Sequence, residues 1–147
     1  MIGKMAEAMV KKIDPPPTIA PWDKTLAEAR VALVTTAGVH LKSQPIFQVE
    51  EGDSSYRVIP GDVNVEDLMI SHTHYDRTDA DQDINCVFPI ARLRELDQQG
   101  FIGSAASVHY GFMGYIPKPQ QLIEEVAPEV AKRLKEDQVD IVVLSPG

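Results

Sequence analysis

The sequence predicts an α/β fold: a mostly parallel, helix-covered sheet of the doubly wound, Rossmann-like kind, incomplete at its C-terminus. Three observations carry that expectation. Apolar, largely β-branched runs at 30–36, 67–71 and 139–144 are each bounded by turn residues, as strands buried on both faces are. Between them lie two stretches whose apolar residues recur at helical spacing. Strands alternating with helices close into a parallel sheet through right-handed crossovers. At 147 residues, 44% hydrophobic and 24% charged, the chain has the size and composition of one globular domain.

Met5, Met9 and Ile13, spaced four apart, predict a short amphipathic helix that Pro15-Pro16-Pro17 stops. Residues 1–24 therefore read as an N-terminal arm and Pro-rich linker, and 25–147 as the α/β part. Arg30 to Thr36, closed by Ala37-Gly38, is the first core strand. From Leu41 to Asp67, the residues Pro45, Gly52, Pro60 and Gly61 leave a loop with one edge strand near Tyr56 to Ile59. Asp67 to Ser71 reads as a second core strand running into a long polar loop, His72 to Asp83. Pro89 opens a helix with Ile90, Leu93 and Leu96 on one face and Gly100 as its stop. Ala105 to Tyr110 is a third strand. From Pro119, Leu122, Val126, Val130 and Leu134 repeat every four residues, and Pro128, which lacks an N–H, kinks or restarts that helix. Val139 to Leu144 is the last strand. The Ser145-Pro146-Gly147 that follows ordinarily turns into a helix, so the chain reads as cut short of its next element.

Composition narrows the function. Twenty-two acidic against fourteen basic residues, a net charge of -8, repel a phosphate backbone, so no nucleic-acid partner is expected. No apolar run approaches the ~20 residues that span a bilayer, and the first residues lack the apolar core of an export signal. A soluble, cytoplasmic protein without a membrane partner is the expectation. Cys86 is the single cysteine, which excludes an intrachain disulfide and a cysteine-built zinc cage. Lying between Asn85 and the apolar Val87-Phe88, it is expected to be a buried, inert thiol.

Loops leaving the C-terminal ends of parallel strands share one edge, where ligands bind. That edge gathers 35–40, 72–83 and 145–147. Thr35, Thr36, His40, Asp76, Asp79, Asp83 and Ser145 are accordingly the candidate substrate-binding or active-site-edge residues. His72-Thr73-His74-Tyr75-Asp76 offers zinc or iron ligands and resembles, for five residues, the His-x-His-x-Asp of metallo-β-lactamase-type hydrolases. The next position, where that pattern has a metal-binding histidine, is Arg77, whose permanent charge opposes a dication. A metal-dependent hydrolase using His72, His74 and Asp76 is therefore the alternative, and no metal is the expectation. Asp76, Asp79, Asp81 and Asp83 lack the glycine and closing glutamate of an EF-hand. They are expected to cap turns, to pair with Arg77 or to orient a cationic amine. No glycine pattern for a dinucleotide or a triphosphate is present, so no nucleotide cofactor is expected.

Longer motifs carry a second resemblance. The segments 29–42, Tyr75-Asp-Arg-Thr-Asp-Ala-Asp-Gln-Asp-Ile-Asn85 with Val87-Phe-Pro89, Leu93-Arg-Glu-Leu96 with Ile102-Gly103, Phe112-Met113-Gly114 and 139–147 resemble the selenoprotein B family of glycine, sarcosine, betaine and D-proline reductases, closest to the D-proline reductase branch. The likeness spans roughly 20–147. It implies that 25–147 is the N-terminal part of a reductase domain whose selenocysteine, or a cysteine in its place, comes just after Gly147, so that no catalytic residue lies in the chain itself. It further implies reductive cleavage of the C–N bond at the α-carbon of an amino acid such as D-proline, glycine, sarcosine or betaine. A partner subunit holds that substrate on a pyruvoyl group within an oligomeric assembly, and the selenolate attacks the α-carbon and expels the amine. A non-catalytic assembly domain is the remaining alternative.

Overall fold

In the computed structural model, Thr18 and residues 20–147 are described; the helix expected near 1–13 lies outside the described residues. The first strand, β1 (Arg30–Thr35), is buried from Val31 onward, as its β-branched run predicts. It pairs in parallel with β7 (Ile141–Ser145) on one side. Its other side takes β5 (Ser104–Ala105) and then β6 (Val108–Phe112), both also parallel. Strand β3 (Tyr56–Pro60) adds to β6 antiparallel. Pro60 ends it, at a margin where a missing N–H breaks no ladder.

Successive residues of β1 face opposite layers. Val31 and Leu33 pack with Phe88, Ile90, Leu93 and Ile102, the first face of α2 (Ile90–Gln98) and its flanks. Val34 packs with Tyr110, Phe112 and Val130, under α3 (Ala127–Glu136). The four-residue repeat is observed: Leu122, Val126 and Leu134 join Val130 against this second core. Pro128 is absorbed by a restart, as expected: Leu122–Val126 form a π turn before the α-helix resumes with the proline in its first turn.

The α/β class therefore stands, but three expectations need correction. Four strands of the main sheet run parallel, as expected, with β3 antiparallel at its margin, but few helices cover it among the described residues and it does not make a Rossmann-like doubly wound array. The expected second core strand is outside the main sheet: β4 (Leu68–Ile70) pairs antiparallel with β2 (Val39–Leu41) in a separate ladder. The reason is Gly38, whose φ of 78° turns the chain back directly after β1, and where a Cβ would overlap Ser71 O. Finally, Cys86 is exposed. It sits on a single 3-10 turn, Ile84–Cys86, that buries Ile84 and then sends Val87 and Phe88 inward.

One flaw in the ladder is repaired by a side chain. Between the pairs Val31↔Ala105 and Val34↔Tyr110 the register slips by two residues. Leu33 N–H, inside that slip, donates instead to His109 Nδ1 at 3.1 Å. Because Nδ1 accepts, the neutral ring carries its proton on Nε2, which is buried without a partner. Burial above all, with the Arg94 charge, pushes the imidazole down to about 4. Asp137 pulls the other way and Arg30 adds to the depression.

Two predictions follow from these elements. Unfolding releases His109 to its ordinary value of 6.5, so stability is full above 6.5 and is lost as pH falls toward about 4; the size is roughly 3 kcal/mol. His109→Asn keeps an acceptor for Leu33 N–H, and urea titrations on either side of this window should show that part of the acid loss gone. The second prediction concerns the end of α2. Gly100 has φ 67°, its N–H donates to Asp97 O and Phe101 N–H donates to Leu96 O, the two bonds of a Schellman stop. An added Cβ meets nothing within 4 Å. Gly100→Ala should thus cost about 1 kcal/mol from backbone strain alone, read as a lowered melting temperature.

Candidate functional site

Parallel alignment brings the C-terminal ends of β1, β6 and β7 to one edge. Thr36 is the junction. Its N–H donates to Ser145 O at 3.0 Å, its Oγ1 accepts Gly147 N–H at 3.3 Å, and its carbonyl borders Gly114. The polar loop after β4 folds back onto the same edge: Ser71 N–H donates to Gly38 O, and Tyr75 O–H donates to Ala37 O at 3.2 Å.

The candidate residues divide accordingly. Thr36 is exposed at the edge, with Ser145 beside it on β7. Thr35 is buried, and its Oγ1 accepts Ala37 N–H, shaping the turn. His40 is fully buried on β2, and both ring nitrogens are engaged. Nδ1–H donates to Leu41 O and Nε2 accepts from Ser71 O–H, each at 2.7 Å, while burial pushes the ring below its ordinary pKa. Its role in this structure is to tie β2 to the start of the loop.

The carboxylates are occupied locally. Asp76 Oδ1 accepts from Thr78 N–H and Oγ1 at the start of α1 (Thr78–Gln82), and these bonds lower its pKa. Asp83 Oδ1 accepts from Asn85 N–H and Nδ2, with the same consequence. Arg77 pairs with Asp81 at 2.8 Å. Asp79 is exposed, and its backbone carbonyl lies 3.9 Å from Cys86 Sγ. Among the described residues, no group of three His, Cys, Asp or Glu side chains stands close enough to hold a metal ion.

The group that sequence reasoning passed over is His72, considered there only as a metal ligand. It is 3% exposed. His74 N–H donates to its Nδ1 at 3.1 Å, and Arg77 donates to its carbonyl. Tyr75 stands edge-on to the ring at 5.0 Å, while His74 stacks on Tyr115 at 4.2 Å. Burial, then the His74 and Arg77 charges, hold His72 below the ordinary imidazole value. The ring faces Gly114, where a Cβ would come within 3.3 Å of Nε2. The sequence signal was Gly114 itself, in Phe112-Met113-Gly114: a residue without a side chain just past an apolar strand marks a close approach.

An α/β protein with its polar loops gathered at parallel strand ends is the class that this geometry defines, and comparison places it more narrowly. The chain belongs to the glycine/sarcosine/betaine reductase selenoprotein B family, whose model matches residues 4–146. It is 48% identical over 135 residues to the D-proline reductase subunit gamma of Acetoanaerobium sticklandii, covering 92% of this chain and 55% of that one. Glycine reductase complex component B subunits gamma are more distant. The one from Symbiobacterium thermophilum is 32% identical over 126 residues (83% of this chain, 29% of that one), and the one from Carboxydothermus hydrogenoformans 30% over 139 (91% and 31%). The chain thus spans about half the length of the first relative and about a third of the others. No solved structure matches it. Among the described residues no helix is long and apolar enough to cross a membrane.

The carboxylate bonds make a prediction. Asp76→Ala removes the acceptor for two Thr78 donors and should lower the melting temperature by a few degrees. Asp79→Asn, which breaks no side-chain hydrogen bond among the described residues, should leave it unchanged. Thermal unfolding followed by circular dichroism distinguishes the two.

Proposed function

We propose that this chain forms the scaffold half of a selenocysteine- or cysteine-dependent amino-acid reductase subunit, in which the residue that attacks the substrate follows β7. The reaction is reductive cleavage of the C–N bond at an α-carbon, with D-proline the first substrate to test. The observation that carries the reading is the 48% identity to a D-proline reductase subunit over nearly the whole chain.

Local geometry supports it. Strand β7 runs parallel beside β1 and delivers Gly147 to the edge shared by Thr36, Gly114 and His72. A nucleophile placed after such a strand meets backbone N–H donors that favour its anion. Strand β7 pairs only with β1 among the described residues, and Val142, Val143 and Leu144 are exposed. That apolar margin suits a further strand of a longer subunit. A partner's pyruvoyl group would make the substrate's α-carbon electrophilic, and the residues of this chain would orient the attacking group and screen it from water.

The carboxylate loop enters as a secondary feature. Asp79, exposed and without a side-chain hydrogen bond among the described residues, is the acid best suited to meet a substrate amine, whereas Asp76 and Asp83 are held by their turns.

The isolated 147 residues should show no D-proline or glycine reduction, and Cys86→Ala should change nothing. The full-length subunit, assembled with its pyruvoyl-bearing partner and a dithiol reductant, should convert D-proline to 5-aminovalerate. Turnover by the 147 residues alone, abolished by Cys86→Ala, would overturn this reading.

A further inference from the structure

We propose that His72 is a fixed, neutral hydrogen-bond donor that stabilises the reacting thiolate or selenolate at the edge where β1, β6 and β7 end. This rests on the reading that a cysteine or selenocysteine follows Gly147.

The imidazole is oriented from behind. Its Nδ1 accepts His74 N–H, so the neutral ring has its proton on Nε2. Nε2 makes no hydrogen bond among the described residues and faces the gap left by Gly114, where a Cβ would lie 3.3 Å from Nε2 and 3.1 Å from Thr36 O. An imidazole only 3% exposed, with this one N–H left unpaired beside a strand end, is suited to an acceptor that arrives there. Thr36 connects that gap to the end of β7 through its bonds to Ser145 and Gly147. The residue after Gly147 therefore starts from the same edge.

The electrostatics select the kind of acceptor. The titratable and charged groups in contact with His72 are His74, Tyr75, and Arg77 paired with Asp81, all of its own loop, and Tyr115, beyond β6, stacks on His74. The strand ends contribute Thr36, Gly114 and Gly147, none of which titrates. With burial, His74 and Arg77 all disfavouring the imidazolium, the ring donates without giving up its proton. Such a donor, with the Arg77 charge nearby, favours an anion over a neutral thiol and lowers the pKa of the group it binds.

The test uses the full-length subunit with cysteine at the reacting position. Iodoacetamide alkylation is followed against pH, and mass spectrometry locates the alkylated residue. His72→Phe should raise the midpoint of the alkylation profile by about one unit, tenfold less thiolate at low pH. His72→Gln, whose side-chain amide donates from nearly the same place, should recover most of the loss. Superimposable profiles for wild type and a folded His72→Phe, with alkylation after β7, overturn the proposal while leaving the reductase reading in place. Absence of any alkylated residue after β7 removes both. Should His72→Phe not fold, the ¹⁵N spectrum of the wild-type 147 residues decides: an Nε2–H tautomer of His72 is expected, and an Nδ1–H tautomer rules the proposal out.

Discussion

Satisfaction of β1's backbone on both sides is the constraint on which the rest of the fold depends. A strand buried from Val31 to Thr35 cannot leave its N–H and C=O groups unpaired without a cost that exceeds most single packing contacts. Strand β7 answers one side along its whole length, from Val31↔Ile141 to Thr35↔Ser145. The other side is answered in two pieces, β5 and β6, with His109 filling the interval. A histidine in a core is tolerated here because its ring substitutes for a carbonyl, and its lowered pKa is the consequence of that placement.

The same interval is held from outside. Asp137, at the end of α3, accepts Ser107 N–H and Oγ–H and pairs with Arg30 at 2.7 Å. Asp140 accepts Arg30 N–H and Lys24 Nζ. The helix that covers the second core is thus tied at its C-terminal end to the beginning of β1 and to the slip beside it. Since β7 follows immediately, this fixes where β7 enters the sheet. Gln138 takes the left-handed conformation between them, with φ 55°, at a position where glycine is usual.

From this alignment the functional edge follows. Strand β7 pairs with β1 along its length and β6 pairs with its last residues, so the three finish together, and Gly38 then turns the chain so that β2 and β4 form a small ladder beside them. His40 pins that ladder through Ser71, the residue before His72. The imidazole of His72 is therefore positioned by a chain of contacts that begins at β1, and its burial in an otherwise polar loop is a product of that geometry.

The strands β1 and β7, the helices α2 and α3, the Gly100 stop, the Pro128 restart and the likeness to selenoprotein B were determined by the sequence alone. Each rests on a local rule: periodicity, a missing N–H, a residue free to take positive φ, or a run of motif residues. What only tertiary structure decided was pairing. Asp67 to Ser71 has the composition of a core strand, yet its partner is β2, because the turn at Gly38 and not strand propensity sets which edge is free. Cys86 has apolar neighbours after it, yet a single 3-10 turn points it outward. His72 and Asp76 look alike in a list of candidate ligands. The fold buries the first against Gly114 and spends the second on Thr78, because hydrogen-bond partners are chosen by three-dimensional proximity, which local spacing does not encode.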